Sequence, residues 1–314
     1  MAWGSPHHNT LLNCDSDDFF LIFRHLSDLA ATQPLSEEKE GEIIEYFQML
    51  SFSSAVRSRF PQPLLGTSLT ITNVYAAQIL ARCGFDWVMI DMEHSPMSAS
   101  EMTAIVHSTV AASQGTCIPL VRVPSHGVEW IKWALDSGAS GIVIPMVNTR
   151  QECEDIVSRA LYPPAGARSS GPFRTIFADL DQEATPDRYK KETAKNLVVF
   201  PMIESAIAVE NAEDIMSVPG VDGVFIGPVD LRASMGLDGA FGTEEVYLRA
   251  LEKIVSTGKR LGLYVGVLGF GEVLTRYTEM GFDFLLLPTD GELFAMGAKS
   301  ILESSRGFVN KSPS

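Results

Sequence analysis

The sequence is short of cysteine, of basic charge and of long hydrophobic runs. Its 4 cysteines include no CxxC pair, which argues against a zinc knuckle and a disulfide framework. Lys and Arg number 24 against 39 Asp and Glu, a formal net charge of −15, so we expect no nucleic-acid partner and no anionic membrane partner. No apolar run approaches the length of a membrane span, and residues 1–34 lack a signal-peptide pattern. We therefore expect a cytoplasmic protein.

Several common catalytic signatures are also absent. The sequence contains no GxSxG, Walker A, HExxH or GxGxxG motif. These absences argue against a nucleophile-elbow hydrolase, a P-loop nucleotide site, a zincin and a dinucleotide-binding fold. Any chemistry must come from a different arrangement of side chains.

The chain contains apolar runs that alternate with helical segments. Val, Ile and Leu dominate these runs with little polar alternation, which is typical of parallel strands buried on both faces. The runs are Leu65–Thr70, Trp87–Asp91, Ile118–Val123, Gly141–Val147, Leu197–Ile203, Gly223–Ile226, Tyr264–Leu268 and Phe282–Leu287. Eight such units predict an α/β fold, a (β/α)8 TIM barrel, with a doubly wound open sheet as the alternative.

The two ends of the chain differ from this pattern. Helical spacing at Asp17–Leu29 and Glu37–Leu50 predicts an N-terminal helical extension over residues 1–60. We place the barrel at residues 61–308 and a short tail at 309–314. The last helical stretch, Glu292–Leu302, is apolar on more than one face, which suits burial between subunits and predicts a homo-oligomer.

Two carboxylates follow neighbouring strands of one βαβ unit. Glu204 directly follows the fifth run, and Asp230 follows the sixth after the turn Gly227-Pro228. The carboxyl ends of neighbouring parallel strands meet at one edge of the sheet, about 4.8 Å apart. Two acids there repel each other unless a cation lies between them or one is protonated. The alternative is that both are ordinary N-terminal helix acids.

Other polar residues lie where barrels carry their catalytic groups, at the carboxyl ends of strands. Asp91, Glu93 and His94 follow the second strand, and Arg122 ends the third. A carboxylate near His94 can fix the tautomer of the ring and raise its basicity, and Arg122 can stabilise an oxyanion. A capping or core histidine and a structural ion pair are the alternatives for these two. His126, in the following loop, we interpret as structural.

One connection is unusually long. It runs from Tyr162 to Lys195, between the fourth helical segment and the fifth strand, and includes the segment YPPAGARSSG. Long connections in compact domains are usually functional. We expect this one to form a wall or lid of the site.

The motifs in these regions together resemble one known family. The segments FDWVMIDMEHSP, LVRVP, GASGIVIPMVNT, ALYPPAGARSSG, FPMIES, VDGVFIGPVDLRASMG and PTDGELF are similar to those of the HpcH/HpaI metal-dependent 2-oxo-acid aldolases, relatives of macrophomate synthase. The likeness runs from about Leu64 to Leu302 in unbroken order. It implies a barrel of the phosphoenolpyruvate/pyruvate superfamily.

The resemblance assigns roles to individual residues. It implies that Glu204 and Asp230 hold a divalent metal, Mg²⁺ first, with Mn²⁺ and Co²⁺ as alternatives. It implies that His94 and Asp91 form a base dyad, and that Arg122 contacts the keto or enolate oxygen.

The resemblance also implies a substrate pocket, in which the backbone around Gly227, Pro228, Val229 and Asp230 holds the carboxylate of the 2-oxo acid. Met92 stands where the family usually has Gly or Ala, which we expect to narrow this pocket.

The implied activity is that of a class II aldolase, a carbon–carbon lyase. Such an enzyme cleaves or forms a 4-hydroxy-2-oxo acid, with pyruvate and an aldehyde as the other partners. An oxaloacetate decarboxylase that joins the resulting enolate to an acceptor, as macrophomate synthase does, is the alternative. A barrel kept only for binding is a third hypothesis. The resemblance further implies a dimer-based oligomer, commonly a hexamer that exchanges its eighth helix.

Overall fold

A computed structural model of the chain describes residues 51–181 and 184–310. The helices predicted at 17–29 and 37–50 lie outside these residues. Met49–Ser314 forms one compact unit. The helix α1 (Phe52–Arg59) lies within residues 1–60, which we assigned to the N-terminal extension, and its Phe52 and Val56 pack with the barrel core.

Eight parallel strands close into a barrel in sequence order. They are β1 (Leu64–Leu69), β2 (Trp87–Asp91), β3 (Ile118–Arg122), β4 (Gly141–Ile144), β5 (Val198–Ile203), β6 (Gly223–Ile226), β7 (Tyr264–Leu268) and β8 (Phe284–Leu286). Pairing of β1 with β8, with Leu65 opposite Leu285, closes the sheet. The predicted (β/α)8 barrel is therefore confirmed, and the open sheet is wrong.

Helices follow the strands around the barrel. They are α2 (Val74–Ala81), α3 (Ala99–Ser113), α4 (Val128–Asp136), α5 (Arg150–Ala160), α6 (Pro186–Lys191), α7 (Ala206–Glu210), α8 (Ala212–Met216), α9 (Pro228–Ser234), α10 (Glu245–Leu261), α11 (Val273–Met280) and α12 (Asp290–Val309). Two 3-10 turns, Thr175–Ala178 and Thr193–Lys195, lie in the connection before β5. No helix in residues 51–181 and 184–310 is long and apolar enough to cross a membrane.

Aromatic rings fill the interior of the barrel at the end where the strands begin. Phe52 of α1 is fully buried and packs edge-on against Phe200 and Phe284, with ring centroids 5.2 and 5.1 Å apart. A Cβ on Gly66 would lie 2.3 Å from the Trp87 ring, so glycine there makes room for the indole. Helix α1 therefore closes this end of the barrel with an aromatic side chain.

The long connection before β5 lies at the same end and is not a lid over the site. Arg168 binds Asp136 at the end of α4 (Nη2–Oδ1 2.6 Å), and the Tyr189 hydroxyl donates to the carbonyl of Leu135 (3.1 Å). A connection from a helix to the next strand returns to the end of the barrel where strands begin. Catalytic groups of barrels occupy the opposite end. The described part of this connection therefore has a structural role, and our expectation of a wall or lid was wrong.

Candidate active site

The carboxyl ends of β2 and β3 hold a buried ion pair. Asp91 and Arg122 are register partners on neighbouring strands. The guanidinium of Arg122 donates from Nε to Oδ1 of Asp91 (2.9 Å) and from Nη2 to Oδ2 (2.5 Å), a two-point contact. The two side chains are only 11% and 2% exposed. Burial alone lowers the pKa of Arg122, but the bonds and charge of Asp91 outweigh it and raise the pKa, so the guanidinium stays charged.

The structure differs from the predicted dyad of His94 and Asp91. The chain does leave the strand after Asp91, whose Oδ1 accepts the backbone N–H groups of Glu93 (3.1 Å) and His94 (3.3 Å). However, Arg122 binds both oxygens of Asp91, because the sheet register places it directly opposite. The carboxylate in contact with the His94 ring is that of Glu93 instead, with Nε2 and Oε2 3.7 Å apart.

Glu93 lies between the Asp91–Arg122 ion pair and the ring of His94. The predicted set of site residues omits it. Its Oε2 lies 3.3 Å from Nη1 of Arg122, while the His94 side chain beside it is 60% exposed. Burial raises the pKa of Glu93, and the positive charge of Arg122 opposes that rise. The sequence signal for Glu93 is its position in the IDMEH motif, just after β2. The turn that follows this strand brings the Glu93 carboxylate near Arg122.

Glu204 lies at the end of β5 and is 3% exposed. Its Oε1 accepts the backbone N–H of Met146 (2.5 Å). A Cβ on Gly227 would lie 2.3 Å from its Oε2, so only glycine leaves room for this carboxylate. Burial above all, together with the charges of Glu93 and Asp230, raises the pKa of Glu204 to about 7. The carboxyl groups of Glu93, Glu204 and Asp230 thus lie close enough to influence one another, and Glu204 is buried from solvent.

Met146 is a second residue that the sequence analysis missed. It follows β4 with a backbone φ of +54°, in the left-handed region that side chains other than glycine rarely adopt. Such strain tends to occur at functional sites. The predicted set contains no residue from the carboxyl end of β4, because the predicted run Gly141–Val147 extends past Met146, whereas the strand ends at Ile144.

The predicted substrate-binding residues lie at the start of α9. Gly227 precedes the helix without a side-chain cap, Pro228 is its first residue, and Asp230 lies in its first turn. Val229 and Asp230 are exposed, whereas Gly227 and Pro228 are buried. The charge of Asp230 acts on both Glu93 and Glu204, so this turn faces the same cluster.

Met92 does not narrow the site. It is 4% exposed and packs in the core between the sheet and the helices, together with Ile90 and Val123. Alternate residues of an extended segment face opposite sides of the sheet, which directs Met92 outward while Asp91 and Glu93 face the site. The expected effect of this departure from the family pattern is therefore wrong.

The carboxylates fit a hard divalent cation that keeps open positions. Within residues 51–181 and 184–310, no group of three or more His, Cys, Asp and Glu side chains encloses a metal site. Glu204 and Asp230 would supply two oxygen ligands, the type that Mg²⁺ prefers, and Mg²⁺ commonly keeps water or substrate in its other positions. Burial is the main cause of the raised pKa of Glu204, and repulsion by Glu93 and Asp230 adds to it; a bound cation would relieve that repulsion.

Comparison with known proteins identifies the family. The family model described as HpcH/HpaI aldolase/citrate lyase matches residues 67–295. The chain belongs to this family. The resemblance noted in the sequence is thereby confirmed, and the match runs from within β1 to the first turns of α12.

Among relatives of this HpcH/HpaI member is a hydroxypyruvate/pyruvate aldolase of Rhizorhabdus wittichii, 34% identical over 78% of this chain and 95% of the relative. A 4-hydroxy-2-oxo-heptane-1,7-dioate aldolase of Salmonella heidelberg is 34% identical over 80% of this chain and 92% of that protein.

Solved structures agree with these matches. A family member from Burkholderia cenocepacia J2315 superposes with a TM-score of 0.72 at 28% identity, covering 81% of this chain and 99% of its own. Macrophomate synthase superposes with a TM-score of 0.74 at 25% identity, covering 84% and 92%.

Proposed function

We propose that this protein is a divalent-metal-dependent aldolase that cleaves or forms 4-hydroxy-2-oxo acids, with pyruvate or a close 2-oxo acid and an aldehyde as the other partners. The observation that carries the proposal is the cluster of Glu93, Glu204 and Asp230 around the ion-paired Arg122, at the catalytic end of a barrel of this family. Relatives named as aldolases for hydroxypyruvate or pyruvate and for 4-hydroxy-2-oxo acids support it.

Glu204 and Asp230 would hold the metal, with Mg²⁺ as our first choice and Mn²⁺ or Co²⁺ as alternatives. When bound, such an ion supplies Lewis-acid polarisation of the 2-oxo acid. The backbone of Gly227, Pro228 and Val229 would receive the substrate carboxylate at the start of α9.

Arg122 would stabilise the negative charge that develops on the keto oxygen during cleavage. Its two-point contact with Asp91 fixes the plane of the guanidinium, and its Nη1 faces Glu93 rather than Asp91. Asp91 is thus a positioning residue for Arg122. Preorganised positive charge of this kind requires no rearrangement when the reaction occurs.

His94 would transfer the proton. In cleavage, the C4 hydroxyl gives its proton to the ring, and the C3–C4 bond breaks. The electron pair of the broken C3–C4 bond forms the enolate, and the C4 fragment leaves as the aldehyde. A proton returned to C3 then gives the 2-oxo acid. The exposure of the His94 side chain, 60%, suits a group that meets the incoming acceptor.

Pyruvate release followed by lactate dehydrogenase tests this proposal. The wild type should release pyruvate from a 4-hydroxy-2-oxo acid only with a divalent cation. His94→Ala should retain metal and pyruvate but lose about 10²–10⁴-fold in cleavage. Full activity after thorough EDTA treatment would contradict the metal requirement. Near-normal turnover by His94→Ala would return that residue to a structural role.

A second candidate reaction is the decarboxylation of oxaloacetate with coupling of the enolate to an acceptor. The superposition with macrophomate synthase favours it. The same site serves, because loss of CO₂ from oxaloacetate generates the same enolate. Metal-dependent CO₂ release with oxaloacetate, together with no cleavage of any 4-hydroxy-2-oxo acid in a panel of chain lengths, would select this reaction. Metal and pyruvate binding without turnover in either assay would select a binding protein.

The exposed apolar residues of α12 and of the barrel wall would bind a second copy of this chain. Helix α12 buries only Asp290, while Phe294, Ile301 and Phe308 are 76%, 70% and 74% exposed. On the neighbouring α2, Tyr75 is also 68% exposed. Such apolar surfaces on the barrel wall and on α12 suit an exchange of α12 within a dimer, and dimers of this kind would build the hexamer that the family resemblance implies.

Light scattering tests this assembly. The full chain should be at least dimeric at micromolar concentration, and Phe294→Asp combined with Ile301→Asp should dissociate it, because both charges would have to be buried. A fully active wild-type monomer would contradict the proposal.

A further inference from the structure

The peptide group between Pro145 and Met146 is bonded on both of its sides. Its carbonyl oxygen, on Pro145, lies 2.7 Å from Nε2 of His126. Its N–H, on Met146, donates to Oε1 of Glu204 at 2.5 Å. One peptide group therefore connects a histidine of the loop after β3 with the buried carboxylate at the end of β5.

The chemistry of the partners fixes the direction of this connection. A carbonyl oxygen can only accept a hydrogen bond, so Nε2 of His126 carries the hydrogen. Donation to the carbonyl polarises the peptide and strengthens the donation by its N–H to Glu204, because hydrogen bonds in a chain reinforce one another.

The geometry of the peptide needs this support. Met146 has a φ of +54°, an arrangement that costs of order 1–3 kcal/mol for a residue other than glycine. Rotation of the peptide about its neighbours would relieve this strain, but it would break both bonds and turn the carbonyl toward a carboxylate. His126 holds the carbonyl side, and Arg159 of α5 in turn holds the backbone of His126, with Nη1 2.5 Å from its carbonyl oxygen.

We propose that His126 is a positioning residue of the metal site, acting on Glu204 through the Pro145–Met146 peptide. This role rests on the proposed function, in which Glu204 is a metal ligand. It assigns a purpose to a histidine that the sequence alone led us to interpret as structural. It also accounts for a left-handed methionine at the mouth of the barrel.

Titration with Mn²⁺, followed by the electron paramagnetic resonance signal of the free ion, tests the proposal on wild type, His126→Leu and His126→Gln. Removing a partner one step behind a metal ligand costs about 10–100-fold in metal affinity, and we expect a loss of at least about 10-fold for His126→Leu. His126→Gln keeps an N–H donor at similar reach, so it should restore affinity to within about 3-fold of wild type, the scatter usual for single contacts.

His107→Leu is the matched control. Nε2 of His107 also bonds a backbone carbonyl, that of Ser137 at 3.0 Å, at the opposite end of the barrel. Its removal should leave Mn²⁺ affinity unchanged even if it lowers the melting temperature by as much as His126→Leu does. Arg159→Met is a second variant, which loosens the backbone of His126 without altering its ring, and it should lower the affinity in the same direction.

The outcomes separate the two proposals. A wild type with no Mn²⁺ site overturns the proposed function and, with it, this inference. A wild type that binds Mn²⁺ overturns only the inference if His126→Leu binds equally well, if His107→Leu loses as much, or if glutamine gives no rescue. Loss in His126→Leu and Arg159→Met, with rescue by glutamine and an unchanged control, supports it.

Discussion

The pairing of Asp91 with Arg122, rather than with His94, makes a quantitative prediction about stability. Removing Arg122 by substitution with Met would leave the carboxylate of Asp91, 2% exposed, without its charge partner. Breaking a buried pair on one side costs about 3–5 kcal/mol. Asp91→Asn should cost a similar amount, since it leaves the buried guanidinium without a full counter-charge.

The double variant Asp91→Asn with Arg122→Met shows how much of each loss in unfolding free energy comes from the interaction between the two side chains. When both charges are gone, neither is left buried and unpaired, so the two losses should not add. We expect a coupling free energy of at least about 2 kcal/mol between Asp91 and Arg122, as for residues in direct contact. Between Asp91 and His94 it should stay within about 0.5 kcal/mol, because the His94 side chain, 60% exposed, makes no ring contact with Asp91.

The assay is urea unfolding of the metal-free protein, which gives the unfolding free energy of the wild type, three single variants and two double variants. Equal slopes with urea across the set show that the compactness of the folded and unfolded states has not changed. A coupling free energy of Asp91 with His94 that exceeds its coupling with Arg122 would refute the assignment and restore the predicted dyad.

Three further predictions follow from the site and the core. Glu204→Gln and Asp230→Asn should each abolish calorimetric Mn²⁺ binding while leaving the melting temperature within a few degrees of wild type; undiminished affinity in either would refute the ligand assignment. Phe52→Ala should lower the unfolding free energy by about 3–5 kcal/mol, against a change within about 0.5 kcal/mol for the exposed Phe173→Ala. Burial raises the pKa of Asp222 to about 6, so wild-type stability should fall relative to Asp222→Asn as the pH rises from 4 to 6, and a constant difference would contradict this.

The sequence by itself determined the barrel, because the evidence for it is local. Buried parallel strands require apolar runs such as Trp87–Asp91, and the residues after each run mark the end of the barrel where chemistry occurs. The same rule found Arg122, Glu204 and Asp230 as residues of one edge, and the motifs carried the family. None of these inferences depends on which side chains are in contact in the folded protein.

Only the tertiary structure decided the partners. The register of β2 and β3 places Arg122 opposite Asp91, and the ring of His94 lies beside Glu93. The bond from Met146 to Glu204 depends on a left-handed backbone for which methionine gives no local signal. The long connection before β5 looked functional by length, but its direction, from a helix back to a strand, places it at the structural end of the barrel. Contacts between residues far apart in the chain are set by register and by loop direction, which a single sequence does not encode locally.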